Sequence, residues 1–134
     1  MKIIGVGTDI VSIKRIGAVF NKYGDSFLNK VFHQQEQDCF NKLPAHKKNS
    51  YLAKRFAAKE ALAKAFGTGI GRSINFKDIA TVNDHLGAPI IQIEKIKLAD
   101  IDNYNICVSL SDDDPFAVAF VIITRYNDLK NLGS

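Results

Sequence analysis

An α+β fold is what this sequence predicts, and two observations carry the prediction. Apolar residues recur at helical spacing through the first half of the chain, ending at Phe66, while short β-branched runs separated by turn-forming clusters fill the second half. Size and composition bound the rest. With 134 residues, 46% hydrophobic and 24% charged, the chain can build one core and is too apolar to stay disordered. Residues 1–134 are read as a single domain.

The elements follow in order. Ile3 to Val6 is a short apolar run that reads as a strand, passing into a loop at Gly7-Thr8-Asp9. Ile13, Ile16, Val19, Phe20 and Tyr23 then repeat at helical spacing, with Ser12 placed to cap the helix and Gly24 to stop it. Phe27 to Phe40 is expected to be helical in part. Leu43 to Asn49 is polar, contains Pro44 and reads as a loop. Ser50 to Phe66 is the strongest helix, alanine-rich inside, with Ser50 as its cap and the glycines from Gly67 onward as its stop. Strands are expected at Ala80–Asn83, Ile90–Glu94, Asn105–Ser111 and Phe116–Thr124. Turns are expected at Asp84–Gly87 and Asp112–Pro115, the second closing a hairpin. Asn127 to Ser134 reads as a loose tail.

Charge and cysteine usage narrow the function. The net charge of +4 favours an acidic partner, such as a phosphorylated ligand or an acidic protein. No basic stripe interleaved with aromatics appears, so nucleic acid is not expected. Cys39 and Cys107 lie far apart with no CxxC and read as reduced, partly buried thiols. The N-terminal apolar run is interrupted at Asp9 and no stretch approaches a membrane span of about 20 residues. A cytoplasmic protein with no membrane partner is expected.

Four groups of residues could carry chemistry. Asp9, at a strand end where Gly5 and Gly7 let the backbone turn tightly, suits a hard cation, and equally an Asx turn or a helix cap. Glu60 and Lys64 stand four apart on one helix face; they are either a surface ion pair or a metal ligand with a phosphate-neutralising ammonium. The loop at Gly67-Thr68-Gly69-Ile70-Gly71 either ends the helix or turns N–H groups to phosphate oxygens. It follows a helix, unlike the P-loop or the dinucleotide-binding loop. Lys14, Arg15 and Lys22 form a basic face that is either solvated or docks an acidic protein. No metalloprotease, nucleophile-elbow or Cys-His pattern appears.

Taken together and in order, the Gly5–Ile10 segment, Arg55–Gly71 and the late Val108–Ser111 and Ala117–Ile122 strands resemble the holo-acyl-carrier-protein synthase family. The resemblance covers nearly the whole chain. It implies a 4'-phosphopantetheinyl transferase-like fold, an antiparallel sheet wrapped by a long central helix. It implies Mg²⁺ at Asp9 and Glu60, coenzyme A as co-substrate and a typical homotrimer with active sites between subunits. It gives Lys64 a place near the pyrophosphate, Gly67, Thr68 and Gly69 contacts with the cofactor, Arg55 and Ser111 further cofactor contacts, and Arg15 and Lys22 docking of acyl carrier protein. It departs from the family at Asp112, where a histidine is usual near the nucleotide phosphate and an anion repels one. Asp25 lowers the charge at the end of the docking helix.

The reaction so implied transfers phosphopantetheine from coenzyme A to a carrier-protein serine, releasing adenosine 3',5'-bisphosphate. Glu60 and Lys64 are its catalytic candidates, and either Glu60 or a water at the metal takes the serine proton. Two other readings are carried: a non-catalytic coenzyme A- or nucleotide-binding module, and a nucleic-acid-binding protein whose affinity falls steeply with salt.

Overall fold

A computed structural model of the chain describes residues 1–67, 74–94 and 97–126. Strand β1 (Lys2–Ser12) leads into α1 (Ile13–Tyr23), α2 (Asp25–Val31), α3 (Gln34–Asn41) and the long α4 (Ala45–Phe66). Strands β2 (Ile79–Asn83), β3 (Pro89–Ile93), β4 (Tyr104–Asp113) and β5 (Phe116–Arg125) follow, with 3₁₀ turns at Phe76–Asp78 and Ile101–Asn103. One antiparallel sheet has the order β1-β5-β4, and β2 with β3 forms a separate hairpin. After β1, helices gathered in the first half and antiparallel strands in the second are the expected α+β arrangement, and α4 lies across β1 and β5.

Local chemistry explains the first helix. Ser12 Oγ accepts from the Arg15 N–H at 3.2 Å, and Gly24 ends the helix at φ 55°, a conformation that a side chain makes costly. Gly67 ends α4 in the same way at φ 77°. The expected helix over Phe27–Phe40 is two short ones, broken where Phe32 and His33 turn extended. His33 caps the second, its Nδ1 accepting from the Gln35 N–H at 3.0 Å.

Three expectations are corrected. The β1 strand does not stop at Gly7 but continues to Ser12, so Asp9 sits within a strand, opposite Ala119. Gly5 and Gly7 make no turn. A Cβ on Gly5 would lie 1.8 Å from the Ala65 carbonyl oxygen, and one on Gly7 1.9 Å from that of Ala61. The strand presses directly on the backbone of α4, which only glycine facing alanine permits. Second, α4 begins at Ala45 rather than Ser50, with Pro44 at its N-cap; proline costs nothing there because no helical N–H is needed. Ser50 lies inside the helix and donates to the Lys47 carbonyl at 3.2 Å. Third, both cysteines are exposed rather than partly buried.

The core lies between α4 and the sheet. Ala117, Ala119, Val121 and Ile123 of β5 meet Ala57, Ala58, Ala61 and Leu62 of α4, all buried. Lys59 points away from the sheet into a second buried layer. Its Nζ lies 2.7 Å from Glu36 Oε1 and donates to the carbonyls of Phe76 and Ile79, so all three ammonium protons have acceptors. Glu36 also accepts from the N–H groups of His33 and Thr81. The expected tail from Asn127 falls outside the described residues.

Candidate active site

Asp9 is presented by β1 on the face that meets α4, in the row formed with Ala119 and Leu110. Glu60 and Lys64 come from the C-terminal part of α4, where Ala61 and Ala65 let β1 approach. Lys64 does not simply pair along its own helix. Its Nζ donates to Asp9 Oδ1 at 3.0 Å and to the Thr8 carbonyl at 3.0 Å. Burial raises the Glu60 carboxyl above its ordinary pKa, the Asp9 charge raises it further, and the Lys64 ammonium offsets part of this. Two carboxylates and one ammonium thus share one site, close enough to feel one another.

The other expected residues sit around this centre to different degrees. Arg55 is buried on the side of α4 that meets β2: Nη2 donates to Asn83 Oδ1 at 3.3 Å and the guanidinium lies 4.2 Å from the Tyr51 ring centroid. Its Nε has no hydrogen-bond partner among the described residues. Ser111 does not join Asp9. It belongs to the row Ile10–Val118–Ser111 on the opposite face of the sheet. Gly67 closes α4 one turn beyond Lys64, whereas Thr68 and Gly69 lie outside the described residues. Arg15 and Lys22 are exposed on α1, seven apart and so on one face, with Lys14 beside them. Asp25 lies in the first turn of α2, where it complements that helix dipole.

Asp112 is matched by a cation that the sequence reading did not single out. Lys54 Nζ lies 3.1 Å from Asp112 Oδ1, joining α4 to the end of β4. The anion expected to repel a phosphate therefore carries its own counter-charge. The pairing crosses from helix to strand and has no local sequence signal.

The chain matches the 4'-phosphopantetheinyl transferase superfamily over residues 5–121. The chain belongs to that superfamily. Among curated superfamily members it is 43% identical over 127 residues to the holo-[acyl-carrier-protein] synthase of Orientia tsutsugamushi (strain Ikeda), covering 91% of this chain and 97% of that one. Among solved structures it is similar to the holo-[acyl-carrier-protein] synthase of Neisseria meningitidis, with a TM-score of 0.81, 39% identity and coverage of 92% and 99%. It is also similar to the Bacillus anthracis str. Ames holo-(acyl-carrier-protein) synthase in complex with CoA (3',5'-ADP), with a TM-score of 0.80, 32% identity and coverage of 94% and 100%. The transferase fold expected from the resemblance is the fold observed.

Proposed function

We propose that this protein transfers the 4'-phosphopantetheine group of coenzyme A to a serine of apo acyl carrier protein, giving holo acyl carrier protein and adenosine 3',5'-bisphosphate. The observation that carries the proposal is the meeting of Asp9 and Glu60 with the Lys64 ammonium where β1 presses on α4. These residues lie within the segment shared with the superfamily, and the relatives found are synthases of this kind.

The donor set fits Mg²⁺. Two carboxylates whose charges act on each other favour a hard cation, and Asp9 already takes an ammonium as a stand-in. Among the described residues no group of three or more His, Cys, Asp or Glu gathers at one point. A cation held by Asp9 and Glu60 would take the rest of its shell from phosphate oxygens and water, the usual habit of magnesium. When bound, it would supply charge neutralisation at the pyrophosphate.

The chain's own residues do the rest. Lys64 neutralises phosphate charge, and Arg55, Gly67, Thr68 and Gly69 hold the cofactor. The serine Oγ attacks the phosphorus bearing the pantetheine arm, the pyrophosphate P–O bond breaks, and adenosine 3',5'-bisphosphate leaves. The serine proton passes to Glu60 or to a water held beside it. Arg15 and Lys22 dock the acidic carrier protein. The outward face of the sheet supports a homotrimer: Val6, Ile10, Phe116 and Phe120 are 52%, 60%, 46% and 42% exposed, an apolar surface a monomer seldom leaves open. The compartment that fits this reading is the cytoplasm.

Incubation with apo acyl carrier protein, coenzyme A and Mg²⁺, read by intact mass, tests the proposal. A gain of one phosphopantetheine group that is lost with EDTA and in Glu60→Ala supports it. No gain from folded protein with several carrier proteins refutes it and leaves the non-catalytic coenzyme A-binding module.

A further inference from the structure

The contact between Lys64 and Asp9 has a competitive character. Lys64 Nζ spends two of its donors on β1, one on Asp9 Oδ1 and one on the Thr8 carbonyl, both at 3.0 Å. The Lys64 side chain is 56% exposed and leaves from the last turn of α4, whereas Asp9 is 16% exposed and fixed in a strand. Of the two partners, the lysine is the one free to swing away. A divalent cation on Asp9 would share the carboxylate whose Oδ1 Lys64 holds, and two cations at one carboxylate repel each other.

Resting on the metal site proposed above, we propose that Lys64 is an internal counter-ion that holds Asp9 in the free protein and is displaced when a divalent cation binds there. Metal capture and delivery of the ammonium to a phosphate are then one exchange. The coupling is reciprocal: an anion that draws Lys64 away strengthens metal binding by the factor with which the metal strengthens anion binding. The cost of the exchange is small because the pair is exposed on the lysine side.

Free Mn²⁺ measured by electron paramagnetic resonance, titrated against the protein without coenzyme A, tests this. Lys64→Met, with Lys64→Gln as a second variant, is expected to bind Mn²⁺ about two- to fivefold more tightly than the unmodified protein. Lys14→Met removes the same charge without touching Asp9 and sets the through-space background. Lys64 variants that bind no more tightly than Lys14→Met overturn the exchange while leaving the metal site standing. Equal Mn²⁺ binding by the unmodified protein and Asp9→Asn overturns the metal site and the exchange with it. In the unmodified protein, Mg²⁺ is expected to raise amine acetylation of Lys64 severalfold and to leave that of Lys54 unchanged; a Lys64 rate indifferent to Mg²⁺ also overturns the exchange.

Discussion

Lys59 and Glu36 form an ion pair at 2.7 Å with both side chains fully buried, tying α4 to α3. Burial lowers the proton affinity of the lysine, and the carboxylate beside it opposes that shift. The pair is more than two charges, because it also takes up the carbonyls of Phe76 and Ile79 and the N–H groups of His33 and Thr81. Lys59→Met is expected to cost about 3–5 kcal/mol by leaving a buried carboxylate unpaired. Pairing it with Glu36→Leu is not expected to restore stability, since four backbone groups would then be orphaned. Urea denaturation of the single and double variants checks both statements, and a stable double variant would contradict the second.

A methyl group at Gly7 meets a backbone carbonyl at 1.9 Å, and a carbonyl cannot swing aside as a side chain can. Gly7→Ala is expected to lose more than about 3 kcal/mol, beyond ordinary overpacking of a core. Whatever folded protein remains should show reduced transfer, because Asp9 moves with β1. Equilibrium unfolding together with specific activity per folded molecule reads out both effects.

Glu60 is expected to trade stability for activity. Its pKa is raised in the folded state, so folded protein holds the proton more tightly than the unfolded chain. That contribution to stability is complete below the ordinary glutamate pKa and is lost as pH rises through the raised value. Ionised Glu60 is therefore a cost at pH 7. Glu60→Gln should raise Tm by about one to three degrees at pH 7. The gain should vanish below about pH 4, and transfer should be lost. Thermal melts across pH check the sign; a lower Tm at pH 7 would contradict it.

Arg15 stands exposed on α1, in line with Lys22. Arg15→Glu is expected to slow transfer mainly by raising KM for carrier protein, about tenfold for a reversed charge at a complementary surface. A KM change confined to coenzyme A would remove Arg15 from the docking role.

Phe120 lies at the middle of the outward sheet face, between Thr8 and Ser109. Phe120→Asp places a charge where a neighbour would pack, and the mass in solution by light scattering should fall to one-third. Subunit-spanning sites would lose activity with it. An unchanged mass would speak against this face as the interface.

Several parts of this arrangement were legible in the sequence because their causes are local. Ser12 and Gly24 cap α1 through neighbouring backbone groups, and within the expected Asp112–Pro115 turn Asp114 and Pro115 close the β4–β5 hairpin, Asp112 and Asp113 being paired in β4. The site was legible as a set of residues, yet its bonding was not. Lys64 has Glu60 four residues away and Asp9 fifty-five away, and it donates to the distant one because β1 lies against α4. The role of Gly5 and Gly7 differs from the expected turn for the same reason: a glycine that permits a turn and one that permits contact look alike until the neighbouring backbone is known. Lys59 with Glu36, and Lys54 with Asp112, are likewise tertiary pairs without periodicity.

The seam between β1 and α4 bears on how such a protein can change. Where side chains separate two elements, substitutions that add or remove a methylene can nudge their spacing by fractions of an ångström, and a catalytic distance can drift with them. Here the spacer between the strand bearing Asp9 and the helix bearing Glu60 is peptide backbone, with no methylene to exchange. Variation elsewhere in the core would alter how many molecules are folded but hardly the separation within each. The spacing of these two elements is therefore set by main-chain contact at Gly5 and Gly7 rather than by the side chains of the core.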